Sequence, residues 1–489
     1  MKKYPILLVL TLFFIACDNN GDNNLTRNDL DDPREIFSAA LLEAADQAST
    51  HAFLLANNVA QFSSKDVEDD ITTYNWNSFV DIWNGLFNTI STLRDLERVA
   101  SAQGDDNYVA VAIILRSWLF SVLTDMYGDI PYTQGAQGDE GGILFPIYDA
   151  QQDIYNGPQG LLASLESANN MINTSETIED DPLFNGNMMM WKKMCNALRL
   201  RLLLHASNKI DVSSQMQNII SNEVLFANSS ESAVYTYTGE GAFTFPLTLF
   251  NFTDFEAVRL SQNLLDVFEQ FKDPRLMEYA RPTNSSISTN NPSYRGRVNG
   301  AISCSSEGSL LGLRYFNYPG HPQVGQNDRA QSIIITYAEQ EFILAEAAQR
   351  GWITADVAAH YKNGVEAALT MYEVDYSEQG WTDFNDFYDN SGVTFDNTLQ
   401  SIDRQKWLAL YFSGFESYIE MRRRLIEENY NWDAFDFLTP PCNNSNGDFL
   451  PLRFTFPDDE ANFNQANYTE AVSRMGGDNI NTAMWLLTN

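Results

Sequence analysis

The stretch ITYAEQEFILAEAAQRGWI, residues 335–353, is followed after one residue by ADVAAHYKNGVEAALTMYEV, residues 355–374. In the second stretch, apolar side chains recur at spacings of three and four on one helical face: Ala358, Tyr361, Val365, Ala368, Leu369 and Tyr372. Small residues stand where a first helix would cross a second: Ala345, Ala347 and Ala348. Because Gly351 permits a tight turn between the two helices, the pair predicts a helical hairpin of the tetratricopeptide type.

Helical periodicity covers much of the chain on both sides of this hairpin. It predicts helices over about residues 33–60, 79–100, 108–127, 153–173, 191–208 and 403–424. Gly128 and Pro131 end the helix that precedes them, since neither residue continues a helix easily. The fold class is therefore predicted as mainly α, with a helical scaffold at about residues 33–210 and 332–425.

The pattern changes near Val212, where short alternating apolar runs are separated by Gly and Pro. This texture predicts loops with a few short strands, interrupted by one helix near residues 261–271. Residues 282–331 are rich in Asn, Ser, Gly and Pro and lack periodicity, which is typical of a functional loop region. We expect a loop-rich portion at 212–331 and an irregular C-terminal segment at 426–489, all within one domain spanning residues 33–489.

The first residues, MKKYPILLVLTLFFIAC, have the layout of an export signal. A basic start precedes an apolar run that is shorter than the roughly 20 residues of a membrane-spanning helix. The small residue directly before Cys17 resembles a bacterial lipobox, which predicts a signal peptide at 1–16 and lipidation of Cys17. Residues 17–32 are rich in Asn and Asp and predict a flexible tether. A plain secretory signal is the alternative.

The chain of 489 residues carries 30 Lys and Arg against 65 Asp and Glu, a formal charge of −35. This excess of acidic groups opposes binding to phosphate backbones, so nucleic acid is excluded as a partner. Aromatic residues make up 13% of the chain, which argues against disorder. Charge alone does not identify a ligand.

No local catalytic motif stands out. The four histidines are far apart in sequence: His51, His205, His321 and His360. The chain lacks H-E-x-x-H, G-x-S-x-G, the Walker A motif and G-x-G-x-x-G, so we predict no catalytic residues and no enzyme. With 65 carboxylates, a pair of glycosidase type meeting in the fold is left open.

Metal binding and disulfides are weakly indicated. The acidic runs at residues 66–70 and 458–460 offer oxygen ligands for calcium, but neither forms an EF-hand pattern and solvated surface explains them better. We therefore predict no metal site and no cofactor, with structural calcium left open. Cys195, Cys304 and Cys442 allow at most one bridge, and unpaired buried thiols are favoured.

The run Arg422-Arg423-Arg424 ends a helix in a very acidic chain, so we expect it to pair with nearby carboxylates.

Aromatic side chains in loops stack on the apolar faces of sugar rings, while amides and charged groups bind hydroxyls. The candidate ligand-binding residues are of these types: Tyr74, Trp76, Asn77, Tyr294, Arg295, Tyr315, Tyr318 and His321.

Five stretches together resemble the SusD/RagB family of outer-membrane nutrient-binding lipoproteins of Bacteroidetes. In chain order they are LRSWLFSVLTDMYGDIPYT (115–133), FKDPRLMEYA (271–280), YAEQEFILAEAAQRGWI (337–353), RQKWLALYFSGFESYIEMRRR (404–424) and the segment from LPLRFTFPDDE to TAMWL (450–486). The last stretch is most similar to the SusD-like branch labelled starch-binding.

The resemblance implies a scaffold of tetratricopeptide-like hairpins with a loop-rich ligand-binding portion. It implies a non-catalytic lipoprotein on the outside of the outer membrane that captures oligosaccharides for a SusC-like TonB-dependent transporter. An oligopeptide-binding member serving a peptide importer is the alternative. A surface glycosidase and a structural adaptor that binds only the barrel are further readings.

Overall fold

A computed structural model describes residues 31–65, 70–138, 141–250, 252–301, 308–312, 314–315, 330–447 and 449–488. The described chain is mainly α-helical, which confirms the predicted fold class. Its helices are α1 Pro33–His51, α2 Asn57–Val59, α3 Val80–Gln103, α4 Asp106–Tyr127, α5 Gln151–Asn156, α6 Leu161–Met171, α7 Met188–His205, α8 Ser213–Asn222, α9 Phe252–Ala257, α10 Gln262–Phe271, α11 Leu276–Tyr279, α12 Asn284–Ser288, α13 Tyr337–Gln349, α14 Val357–Met371, α15 Phe384–Asn390, α16 Leu399–Ala409, α17 Glu416–Glu427, α18 Asp458–Phe463 and α19 Gln465–Met475.

Four short strands form two antiparallel pairs. The strands are β1 Ser63–Lys65, β2 Ala233–Thr236, β3 Val258–Leu260 and β4 Gln331–Ile335. Strand β1 pairs with β3, with Ser63 opposite Leu260, and β2 pairs with β4 across a bulge at Ala233 and Val234. Short strands were predicted within 212–331, where β2 and β3 lie, whereas β1 and most of β4 lie in portions predicted as helical scaffold.

Helices α13 and α14 form the predicted hairpin. The Thr336 hydroxyl caps α13 and the Asp356 carboxylate caps α14, each by accepting a backbone N–H of its first turn. Gly351 lies in the turn between them with a φ of +73°. A Cβ at Gly364 would lie 2.9 Å from the ring of Phe342, so the two helices cross where only a glycine fits. The tetratricopeptide-type hairpin is confirmed.

Helix α4 is the central helix of the N-terminal half and packs between α3 and α6. It begins where the Asp105 carboxylate accepts the N–H of Tyr108 at 3.3 Å, and it ends at Gly128 with a φ of 88°. By length and composition alone, its 22 residues are long and apolar enough to cross a membrane. Because 89% of its most apolar window is buried, these side chains contact protein instead.

Two predicted helices are each broken in two. The predicted helix at 403–424 ends at Ala409 and resumes at Glu416, because Phe412 and Gly414 adopt φ values of 62° and 57° that no α-helix accommodates. The predicted helix at 153–173 is interrupted by Gly157, Pro158 and Gly160, which separate α5 from α6. The periodicity located these two helices and missed their turns. The prediction of a single helix within 212–331 is also wrong, because this portion contains α8, α9, α11 and α12 besides α10.

The C-terminal segment is less irregular than predicted, since it contains α18 and α19. Acidic residues fill the first turn of α18, where they favour the positive end of the helix dipole: Asp458, Asp459 and Glu460. Gly476, with a φ of 84°, ends α19 in the left-handed conformation typical of a helix C-terminus. These helices are short and polar, so apolar periodicity gave no signal for them.

Candidate ligand-binding site

Four loop segments meet at one place, which we call the loop junction: residues 70–77, 295–301, 439–449 and 479–482. The N–H of Ser445 donates to the carbonyl of Thr73 at 2.8 Å. The N–H of Cys442 donates to the carbonyl of Asn299, also at 2.8 Å. The side chains of Asn446 and Asn481 exchange two amide hydrogen bonds of 2.9 and 2.6 Å. The junction thus joins segments more than 350 residues apart in sequence.

The path of the junction is set by a close backbone approach. Gly300 has a φ of +75°, and a Cβ there would lie 2.0 Å from the carbonyl oxygen of Cys442. Only glycine permits this approach. The neighbouring Asn299 is buried, and its amide donates to the carbonyl of Ser63 at 2.7 Å while it accepts from the hydroxyl of Ser261 at 2.6 Å. These contacts fix the loop against β1 and α10.

The junction presents an aromatic ring and several neutral amides to solvent. Phe449 is 53% exposed, and its ring meets that of Tyr430 edge-on at 4.9 Å. Asparagine side chains that are exposed or half-buried lie in the same loops: Asn75, Asn77, Asn443, Asn444, Asn446 and Asn481. An aromatic platform beside neutral donors and acceptors suits a ligand with apolar faces and many hydroxyl groups.

Two predicted stacking residues, Tyr74 and Trp76, are instead part of the core. Tyr74 is 1% and Trp76 is 4% exposed. The indole N–H of Trp76 donates to the carbonyl of Arg453 at 3.2 Å, and its ring packs edge-on against Tyr418 and Phe454. Their prediction as ligand-binding residues is therefore wrong. The sequence around them is polar, yet the turn that contains them is buried. Only Asn77 of this predicted group is exposed.

Tyr315 is also corrected from a ligand residue to a core residue. Its ring stacks on Phe412 at 3.7 Å with an interplanar angle of 4°, and it is 1% exposed. Tyr294 is half-buried against the core, while Arg295 is exposed and exchanges hydrogen bonds with Ser309 through its backbone. Tyr318 and His321 lie outside the described residues and stay predictions.

Sequence reasoning missed Phe449 and its neighbouring asparagines. The signal was present in PCNNSNGDF, residues 441–449, where turn-forming residues and four neutral or small polar side chains precede an aromatic one. The lack of periodicity in residues 282–331 had instead predicted the functional loop region there. The structure shows that the C-terminal loop lies directly on residues 299–300.

A buried cluster of charges, the scaffold cluster, joins α4, α7, α13, α16 and α17. At one end His205 donates to Asp125 and Glu416, each at 2.9 Å, with the imidazole 2% exposed. Arg201 of the same helix pairs with Glu339 at 2.5 Å. At the other end the paired groups are Glu346, Asp403, Lys406, Glu420, Arg423, Arg424 and Glu427. Opposite charges alternate throughout the cluster.

The electrostatics of this cluster fit a structural role. Burial lowers the pKa of His205, but the carboxylates of Glu416 and Asp125 outweigh burial and raise that pKa to about 10. The imidazole therefore stays protonated at neutral pH and has no free nitrogen to act as a base. His205, Glu416 and Glu420 stand close enough to hold a metal ion, yet Arg201, Arg423 and Lys406 already neutralise these carboxylates. A cation would have to displace these charges.

The arginine run has the predicted role. Arg423 pairs with Glu346 and Glu420 at 2.9 and 2.8 Å, and Arg424 pairs with Asp403 at 3.0 Å. Arg422 differs, because it donates to a backbone carbonyl, that of Leu452, at 2.6 Å. All three are buried, so the run stabilises the scaffold from within.

The cysteine and acidic-run predictions have mixed outcomes. Cys195 is a free buried thiol, as expected, but Cys442 is free and exposed at the loop junction, so a buried position was wrong for it. Cys304 lies outside the described residues, as do residues 66–69. In the other acidic run Glu460 is not fully solvated, since it accepts a hydrogen bond from the hydroxyl of Tyr148. That the protein holds no metal, with structural calcium left open, stays a prediction. The signal peptide at 1–16, the lipidation of Cys17 and most of the tether lie outside the described residues and also stay predictions.

Comparison with solved structures shows the same fold in SusD homologues. A SusD homologue of Bacteroides fragilis is 23% identical, with a TM-score of 0.76 over 94% of this chain and 99% of that one. A chitin-binding protein is also 23% identical, with a TM-score of 0.76 over 94% and 100%. A chitin-binding SusD homologue of Flavobacterium johnsoniae is 19% identical, with a TM-score of 0.74 over 93% and 99%.

Comparison with curated proteins finds no match. The sequence model of the SusD-like family, described as starch-binding and associating with the outer membrane, matches residues 23–457. This match covers most of the chain, including the scaffold cluster and much of the loop junction. The chain therefore belongs to the SusD-like family of outer-membrane-associated binding proteins.

Proposed function

We propose that this protein captures oligosaccharides at the loop junction without transforming them. The exposed ring of Phe449 among exposed asparagine amides carries the proposal, because stacking and neutral hydrogen bonds are what sugar rings require. The starch-binding description of the family supports this ligand class. The protonated, enclosed His205 offers no general base, in keeping with a binding role.

The proposed setting is the cell surface. Lipidated at Cys17, the protein is held on the outer membrane and passes its ligand to a SusC-like TonB-dependent transporter. Substitution of Cys17 by alanine should release the protein from the membrane fraction. Affinity capture from outer membranes should recover a TonB-dependent barrel, and its absence would contradict the transport role while leaving ligand capture open.

Calorimetry with chitohexaose, maltoheptaose and a peptic protein digest tests the ligand class. We expect Phe449→Ala to weaken binding of one sugar about tenfold, the equivalent of losing one stacking contact of about 1.4 kcal/mol. Phe463→Ala is the matched control, because Phe463 is 72% exposed on α18, outside the junction. Binding of the digest alone would replace the oligosaccharide with an oligopeptide. Detectable cleavage of either sugar would overturn the non-catalytic role.

A further inference from the structure

A second groove lies on the scaffold, between α8 and the turn that joins α13 to α14. It is a shallow depression, open to solvent along its length, rather than an enclosed cavity. We call it the scaffold groove and define it by its lining residues: Ser213, Ser214, Gln217, Asn218, Ser221, Asn222 and Trp352. It shares no residue with the loop junction.

One face of α8 supplies the polar side of the groove. Ser214, Gln217 and Ser221 follow at spacings of three and four, so their side chains share this face. On the opposite face, Met216 and Ile219 are buried in the core. The N–H of Thr354 donates to the side-chain oxygen of Gln217 at 2.8 Å, which holds the turn against α8. The groove is therefore fixed by the fold.

Trp352 supplies the aromatic side. The guanidinium of Arg350 lies over its ring, 5.1 Å from the ring centroid. Arg350 is itself held by Glu346 at 2.9 Å and Glu427 at 2.6 Å, so this contact connects the indole to the scaffold cluster. A ring held in this way is a preorganised platform for an apolar surface.

The chemistry of the lining selects the ligand. None of the seven lining residues carries a formal charge, in a chain with a net charge of −35. Their amides and hydroxyls both donate and accept hydrogen bonds, which matches sugar hydroxyls. A helix and a turn build the groove, so it offers no strand edge to the backbone of an extended peptide. We infer that the scaffold groove is a second carbohydrate-binding site.

This inference rests on the proposed function and extends it from one site to two. Two separate sites on one chain hold a polymer more firmly than either holds a short fragment, because the second contact becomes intramolecular. The loop junction then captures a chain end or segment while the scaffold groove retains the rest. Long glycans should therefore bind more tightly than short ones.

Fluorine NMR of the full-length protein labelled with 5-fluorotryptophan tests the groove directly. The resonance that disappears in Trp352→Phe belongs to Trp352. We expect this resonance to shift on addition of chitohexaose or maltoheptaose at millimolar concentration, and to shift equally in Phe449→Ala. Asn218→Ala should weaken the response about tenfold. Gln215→Ala, an exposed change on α8 outside the groove, should leave it unchanged.

The outcomes separate the two sites. A Trp352 resonance that stays still with both sugars, or that shifts only with a peptide digest, overturns the second site. A shift that disappears in Phe449→Ala also overturns it, because the signal would then report the loop junction. If Phe449→Ala leaves sugar binding unchanged by calorimetry while the Trp352 shift persists, the proposed function fails at the junction and the groove stands alone.

Discussion

The scaffold cluster and the loop junction use polar groups in opposite ways. In the cluster, charged side chains are buried and paired, as Arg423 is with Glu346 and Glu420. In the junction, neutral amides are exposed, and backbone hydrogen bonds such as Ser445 to Thr73 hold the loops. The contrast indicates that buried charge fixes how helices pack, while the neutral surface is free to meet a ligand. Substitutions in the two regions should therefore affect stability and binding differently.

The largest effect should follow from breaking the cluster. Arg423→Ala leaves Glu346 and Glu420 buried with one fewer partner, so we expect the free energy of unfolding to fall by about 3–5 kcal/mol. Chemical denaturation measures it. The control is Arg34→Ala, whose pairs with Asp32 and Glu179 are exposed and should therefore contribute far less stability. Similar losses in the two variants would contradict a special role for buried charge.

The pH dependence of the free energy of unfolding should also report on the scaffold cluster. The pKa of His205 in the folded protein, about 10, exceeds the unfolded value of about 6.5. The resulting stabilisation is complete below pH 6.5 or so and is lost as the pH rises towards about 10, by at most about 1.4 kcal/mol per pH unit. We expect His205→Gln to flatten this decline between about pH 7 and pH 9. If the free energies of unfolding of the wild type and of His205→Gln fell in parallel over this range, the raised pKa of His205 would be contradicted.

An intermediate effect should come from the backbone approach in the junction. Gly300→Ala adds a Cβ 2.0 Å from the carbonyl of Cys442 and strains a φ of +75°, so we expect a loss of about 2–4 kcal/mol. Gly104→Ala is the matched control, since its φ is +74° but no atom lies within 4 Å of the new Cβ. It should cost only about 1 kcal/mol in urea unfolding. Equal losses would mean that backbone strain alone matters.

The smallest effect on stability should accompany the largest effect on binding. Phe449→Ala removes a ring that is 53% exposed, so the free energy of unfolding should change by less than about 0.5 kcal/mol. Thermal unfolding measures the change in stability, and calorimetry with chitohexaose and maltoheptaose measures the change in binding. A large loss of stability would show that the ring belongs to the core and would merge the two regions.

The sequence predicted the scaffold better than the site, for a physical reason. Apolar periodicity is a local signal, so α3, α4 and the α13–α14 hairpin were predicted. Pairing with carboxylates was predicted correctly for Arg423 and Arg424, whereas Arg422 donates to a backbone carbonyl. The turns at Phe412 and Gly414 were missed because one residue with a positive φ breaks a helix without altering its apolar pattern.

Exposure is not local. Trp76 and Tyr315 are buried by residues that are distant in sequence. The indole of Trp76 donates to the carbonyl of Arg453, and the ring of Tyr315 stacks on that of Phe412. Phe449 shows the opposite outcome, since it lies in a loop whose preceding residues 442–447 are exposed or half-buried, and it is itself 53% exposed. Which loop aromatics reach solvent depends on how distant segments meet, and that information appears only in the folded chain.

The backbone bonding of the loop junction has a consequence for how specificity can change. Two of the contacts that position residues 439–449 run between main-chain groups, from Ser445 to Thr73 and from Cys442 to Asn299. Such bonds do not depend on which side chains the loop carries. The side chains of Asn443 and Asn444 also bond to backbone carbonyls, those of Gly300 and Phe449, so they help to hold the loop. Phe449 contributes a ring contact with Tyr430 instead, so we expect its exchange to alter the proposed ligand preference while the loop keeps its path. The junction is therefore a suitable framework for a combinatorial library of variants at position 449.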